Sequence, residues 1–205
     1  MARAGDWLAR QSPEFRLLVE ATSGRDLTTP PPQPIDWAVF HALAIRHGLI
    51  SFAYRNLGDD ACPWVQSDTR SAMRRELKAR ITRNLGMAAE TLRICQAFAA
   101  AHLPHVVLKG AALGETLYGN AGMRDSADMD ILIPPDRAPQ CLSIVEAMGF
   151  GSTMSPRPGP GLSLVRRFIA KDWHLKHRES GFLVELHWRL NENPFHLPLP
   201  KDASR

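Results

Sequence analysis

The 205-residue chain is short of several things. It has three cysteines, Cys62, Cys95 and Cys141, far apart and odd in number. That excludes a disulfide-built scaffold and provides no zinc-ligand spacing, so buried thiols in a reducing compartment are expected. No stretch approaches the roughly twenty apolar residues that span a bilayer. The amino terminus, Met1-Ala2-Arg3-Ala4-Gly5-Asp6-Trp7, lacks the apolar run of a secretion signal, so a cytoplasmic location is expected. No segment repeats. A large excess of one charge is lacking too. The net charge is +4 and the pI is near 9.2, which suits a phosphate-bearing ligand without requiring one. What is present is an ordinary apolar fraction and enough length for one or two compact units with a core.

The hydrophobic period changes near residue 104. Before it, the pattern is helical. Residues 6–21 carry Trp7, Leu8, Phe15, Leu17, Leu18 and Val19 and predict a first helix running through Pro13. The proline-rich segment 28–34 is a stiff extended connector, because proline disrupts a helix interior. Asp36 is expected to cap a helix to about His47, with Gly48 as its stop, and residues 50–58 form a further short helix. The longest periodic stretch is 67–101, opened by Ser67 and Asp68. Leu77, Ile81, Leu85, Ala88, Leu92 and Cys95 recur every three or four residues and predict its buried face. Gly86 marks a point where that helix could break.

Beyond Pro104, a short strand is predicted at His105–Leu108, then a helix from about Gly110 to Tyr118, then a strand at Met129–Ile133 ended by Pro134 and Pro135. A helix follows at Pro139–Met148, then a loop at 155–161. Strands are predicted at 164–170, 173–178 and 182–190, the last two joined by a turn at 179–181. Helices come first, then strands mixed with helices, so the fold class is α+β. The expected organisation is a helical region 1–103, a mixed region 104–197 and a tail 198–205, read together as one compact unit.

Three features carry chemistry. Asp128 and Asp130 stand two apart on a strand, so both carboxylates leave one face while Met129, Ile131 and Ile133 pack on the other. Two like charges so close are stable mainly with a cation or several donors between them, and oxygen ligands suit a hard ion such as Mg²⁺. Upstream, Lys109-Gly110-Ala111 joins a strand to a helix start, where backbone amides and the helix N-terminus favour phosphate. Downstream, Glu185 sits between Val184 and Leu186, where a covered carboxylate needs a partner. Each feature alone has an ordinary structural explanation: a solvated strand pair, a turn, an exposed strand position. Together they converge on phosphates over a helix start and a metal held by three carboxylates. The histidines His174, His177, His187 and His196 could form a zinc site if they lay on adjacent strands, but no cysteine accompanies them, so they read as core or pocket-lining residues; Trp173 and Trp188 read as core rather than as a base-stacking platform. His174 and His177 fall on opposite faces of one strand. Arg70, Arg74, Arg75, Lys78, Arg80 and Arg83 form a basic stretch that could meet nucleic-acid phosphates or a solvated face.

The stretch Val107–Ile133 resembles the nucleotidyltransferases of the DNA polymerase beta superfamily, most closely the bacterial uncharacterised nucleotidyltransferase family. That family shows a Leu-Lys-Gly-x-Ala-Leu helix start, here Leu108-Lys109-Gly110-Ala111-Ala112-Leu113. A Tyr and an Arg follow, here Tyr118 and Arg124. Then comes an Asp-Ile-Asp-Leu-Leu-Val strand, here Asp128 to Ile133, and a Glu/Asp-Leu-His-Trp segment, here Glu185-Leu186-His187-Trp188. The resemblance covers roughly residues 35–195 and implies a helical region packed on a small mixed sheet of the polymerase beta type. It implies Asp128, Asp130 and Glu185 as catalytic and metal-binding residues for Mg²⁺ or Mn²⁺. It implies Lys109, Gly110, Ala111 and Arg124 as the phosphate grip, with Tyr118, His187 and Trp188 near the pocket. The implied reaction moves a nucleotidyl group from a nucleoside triphosphate to an acceptor, whether a small molecule, RNA or protein. The wider superfamily has Gly-Ser where this chain has Gly110-Ala111, so one hydroxyl to phosphate is missing. Members of the family also usually extend further past the His-Trp segment. Two other readings stay open: a non-catalytic nucleic-acid or partner-binding protein on a degenerate fold, and a toxin–antitoxin or defence component that modifies RNA or protein.

Overall fold

The computed structural model describes residues 7–24, 27–58, 62–153 and 171–190; the predicted strand at 164–170, the loop at 155–161 and His196 lie outside them. The fold is α+β. The chain forms two compact units, Met1–Asn84 with Gly122–Asp125, and Leu85–Ala121 with Ser126–Arg205. Their division falls at residue 84, inside the longest helix, rather than at the change of hydrophobic period near 104.

The first unit is helical. Helix α1 spans Pro13–Thr22, and Ser12 caps it by accepting from the Phe15 amide at 3.3 Å. The predicted passage of this helix through Pro13 is therefore corrected: Pro13 opens it. At a first helical position proline gives up only an amide that has no partner anyway, whereas inside the helix it would remove a bond and clash. Helix α2 spans Trp37–Arg46, and Asp36 accepts from the amides of Ala38 and Val39 at 2.9 and 3.2 Å. Caps of this kind stabilise a helix by about 1 kcal/mol. Helix α3 spans Ile50–Leu57. Leu17, Leu18, Phe40, Ala44, Ile50, Ala53, Leu57 and Val65 form this unit's apolar cluster, with Met73 from helix α4, which spans Ser67–Ala100. Asn84 donates to the carbonyls of Gly122 and Arg124 at 3.0 and 3.1 Å, and Arg80 pairs with Glu76 and Asp125 at 2.9 and 2.8 Å. These bonds group residues 122–125 with this unit. They also withdraw Arg80 from the basic stretch of α4.

The second unit holds the sheet. Its strands are β1 (Val106–Val107), β2 (Asp128–Leu132), β3 (Phe150–Ser152), β4 (Asp172–His177) and β5 (Leu183–His187), with helices α5 (Ala111–Tyr118) and α6 (Ala138–Ala147). The order across the sheet is β1-β2-β5-β4-β3. Only β2 and β5 pair parallel; the other neighbours are antiparallel. Met129, Ile131, Leu175, Val184 and Leu186 join Cys141 and Val145 of α6, and Met87, Ile94 and Phe98 of α4, in one buried cluster.

Helix α4 corrects a sequence expectation. It buries Met73, Asn84, Met87, Ile94 and Phe98, whereas Leu85 is 50% exposed and Leu92 59%. The buried row passes through Arg80, Asn84 and Thr91, each of which donates hydrogen bonds. Apolar spacing skips such residues and selects the neighbouring row. Gly86 does not break the helix. A side chain there would begin 3.1 Å from the Phe182 ring, so glycine makes room for an aromatic neighbour.

Candidate functional site

Alternation along the strands divides the sheet into an apolar face and a polar one. The polar face receives Asp128 and Asp130 from β2, Glu185 and His187 from β5, and Asp172 and His174 from β4. Register aligns them: Asp130 stands opposite Glu185, Glu185 opposite His174, and His187 opposite Asp172. Three neighbouring strands thus each present two ligand-type side chains spaced two residues apart.

Asp130 lies at the centre and is 1% exposed. Its Oδ1 accepts from Lys109 Nζ at 2.8 Å and lies 3.0 Å from His187 Nε2. Its Oδ2 is buried without a hydrogen-bond partner. His187 Nε2 also lies 3.3 Å from Glu185 Oε2, and one ligand atom each from Asp130, Glu185 and His187 fall within 4.8 Å of one another. Burial pushes the Asp130 carboxyl upward, but the hydrogen bond and charge of Lys109, followed by those of His187, hold it below its ordinary value. Lys109 moves the other way. Its hydrogen bond to Asp130 raises it most, and the charges of Asp130, Asp128 and Glu185 add to that despite some burial.

A buried carboxylate oxygen with no donor is costly unless a cation or polar ligand meets it. Two carboxylates and an imidazole within 4.8 Å have the chemistry of a divalent-cation site. The donor set therefore fits a divalent cation.

β1 and α5 lie next to this group, on either side of Lys109 in the chain. The Leu108 amide donates to the Asp130 carbonyl at 3.0 Å, so the chain after β1 stays tied to β2. Gly110 then turns it into α5 at φ 73°, ψ −138°, a left-handed conformation that favours glycine. Its N-cap residue, Gly110, has no side chain with which to cap the first amides of α5. The hydroxyl of Ser126 lies 3.8 Å from where a side chain on Gly110 would begin.

Of the predicted residues, Asp130, Glu185, Lys109 and His187 come together, with Gly110 and Ala111 at the helix start. Asp128 shares their face and its charge acts on Lys109, but its carboxylate stands outside the tight donor group. Tyr118 is exposed at the last position of α5. Trp188 is 5% exposed and packs in the apolar cluster, where it lines a shallow groove with Trp173, Ile133, Pro139 and Leu142. Arg124 belongs to the helical unit, where its carbonyl accepts from Asn84.

Asp172 was not singled out by sequence, nor was His174 as a member of an acidic group. His174 Nε2 lies 3.1 Å from Asp172 Oδ1, and its Nδ1 lies 3.4 Å from Glu185 Oε1. The signal was present: Asp172-x-His174 has the same two-residue spacing as Asp128-x-Asp130 and Glu185-x-His187. His177, three positions on, faces the apolar side and meets Phe150 edge-on.

Residues 33–205 match the model of a protein family described as uncharacterised nucleotidyltransferase. Neither the curated proteins nor the solved structures contain a match.

Proposed function

The chain belongs to the uncharacterised nucleotidyltransferase family, and from that premise we propose that it moves a nucleotidyl group from a nucleoside triphosphate to an acceptor hydroxyl and releases pyrophosphate. The observation that carries this reading is the register of buried Asp130 with Glu185, next to Lys109 and the glycine-led start of α5.

Asp128, Asp130 and Glu185 would hold Mg²⁺ or Mn²⁺. When bound, such an ion neutralises phosphate charge and lowers the pKa of a hydroxyl. The other roles fall to the chain itself. The Gly110–Ala111 backbone and the N-terminus of α5 receive phosphate oxygens. Lys109 is half exposed while its ammonium holds Asp130, so it can offer positive charge to a phosphate from the same position. Ser126 brings a hydroxyl beside Gly110 from another part of the chain, where the wider superfamily uses a serine after the glycine. His187 holds Asp130 and Glu185 in their relative positions. In the reaction an acceptor oxygen bonds to the α-phosphorus, the bond to the pyrophosphate oxygen breaks, and Glu185 takes the acceptor proton.

The test is calorimetric binding of a non-hydrolysable triphosphate with and without Mg²⁺. Wild type should bind in a Mg²⁺-dependent way, and Asp128→Asn/Asp130→Asn should lose most of that binding. Equal binding with the same metal dependence would overturn the reading. Incubation of the protein with a cell extract and triphosphates labelled at either the α- or the γ-phosphate then identifies donor and acceptor. Label should pass to a product from the α position and leave as pyrophosphate from the γ position.

A further inference from the structure

Glu185 stands between two groups of donors. Its Oε2 faces His187 and, beyond it, Asp130. Its Oε1 lies 3.4 Å from His174 Nδ1, whose other nitrogen, Nε2, lies 3.1 Å from Asp172 Oδ1. One ligand atom each from Asp172, His174 and Glu185 fall within 4.8 Å of one another, as in the group built on Asp130. This second group uses neither Asp128 nor Lys109 nor Gly110.

Three observations set it apart from an ordinary hydrogen-bonded strand pair. First, both ring nitrogens of His174 point at carboxylate oxygens. An imidazole so placed offers a nitrogen ligand beside a carboxylate oxygen on either side. Secondly, Asp172 is 9% exposed and its Oδ2 is buried without a hydrogen-bond partner. Lys171 Nζ lies 3.5 Å and His187 Nδ1 3.6 Å from that oxygen. Thirdly, the side chain of His174 is 47% exposed, so an ion can reach the group from solvent. Carboxylate oxygens alone suit Mg²⁺ or Ca²⁺. An added imidazole moves the preference toward borderline ions such as Zn²⁺ and Co²⁺.

We infer that Asp172, His174 and the Oε1 oxygen of Glu185 form a second cation site that binds a borderline divalent ion and is separate from the position at Asp128 and Asp130. Glu185 bridges the two positions. The bridging rests on the nucleotidyl-transfer reading; the Asp172–His174 site does not. An ion there would fix the Glu185 carboxylate from one side and leave Oε2 directed at the Asp130 group.

The experiment uses tag-free full-length protein, stripped by chelator and titrated with Co²⁺ while visible absorption is followed, with no nucleotide present. Saturable binding with the ligand-field bands of mixed nitrogen and oxygen ligation is expected. His174→Gln and Asp172→Asn should each weaken it about tenfold or more, and by more than Asp128→Asn does. His174 is exposed on its strand, so its variant keeps the fold, which circular dichroism verifies; the test therefore does not depend on the buried Asp172. Absence of saturable Co²⁺ binding in the wild type, or undiminished binding by His174→Gln, would overturn the inference. Equal weakening by Asp128→Asn would also overturn it, by showing one shared ion. Failure of triphosphate binding with Co²⁺ binding intact would instead count against the nucleotidyl-transfer reading alone.

Discussion

Lys109 and Asp130 form an unequal pair: the lysine side chain is half in water, the aspartate 1% exposed. The aspartate sets the pH dependence. Its folded pKa lies below the ordinary 3.8, so the pair stabilises in full above that value and is lost as the pH falls through the lower folded one. Lys109 is raised from 10.5, so on the alkaline side the pair persists until the pH rises through the folded value above that. Lys109→Met should cost about 1–2 kcal/mol at neutral pH, below the ~3–5 of a fully buried pair because water screens the lysine. Urea unfolding between pH 3 and 7 measures this. The gap between variant and wild type should narrow on the acid side, and a pH-independent gap would reject the assignment.

At the scale of elements, α4 decides the contest between composition and packing. Asn84 is buried and holds two carbonyls, while Leu92 faces solvent. Asn84→Leu should therefore destabilise the protein by about 1–3 kcal/mol, because two carbonyls lose their donor. Leu92→Gln should change stability by no more than about 0.5 kcal/mol. Chemical denaturation of the two variants is the measurement. Hydrophobic pattern alone predicts the opposite order, so that order would return α4 to the face made by Leu85 and Leu92. Strand pairing explains the site in the same way. Two-residue spacing aims carboxylates and imidazoles at one face, and the register of β2, β5 and β4 sets them side by side.

At the scale of the molecule, the two compact units have separate apolar clusters, each with a buried cysteine: Cys62 in one and Cys141 in the other. Burial pushes the Cys141 thiol up to about 11, which leaves little thiolate at neutral pH. Phe98→Ala should cost about 3–5 kcal/mol through the cavity it opens. It should also speed thiol labelling of Cys141 more than that of Cys62, as mass spectrometry after timed labelling would show. Equal acceleration at both cysteines would mean that one cooperative core serves the whole chain. No helix among the described residues is long and apolar enough to cross a membrane.

By itself the sequence determined the α+β class, the cap at Asp36, the glycine-led start of α5 and the spacing of Asp128, Asp130, Glu185 and His187. All of these depend on a few adjacent residues, whose backbone preferences and strand alternation act locally. Tertiary structure decided the rest. The buried row of α4 depended on which polar residues found partners in residues 122–125, far along the chain. Which side became the core, and so received Trp188 rather than its neighbour His187, depended on the packing of α6 and α4 against the sheet. Asp172 and His174 entered the acidic group because the register of β4 sets them opposite His187 and Glu185, and β5 in turn pairs with the distant β2. Pairing brings together residues that are distant in sequence, and no local spacing specifies which strands will become neighbours.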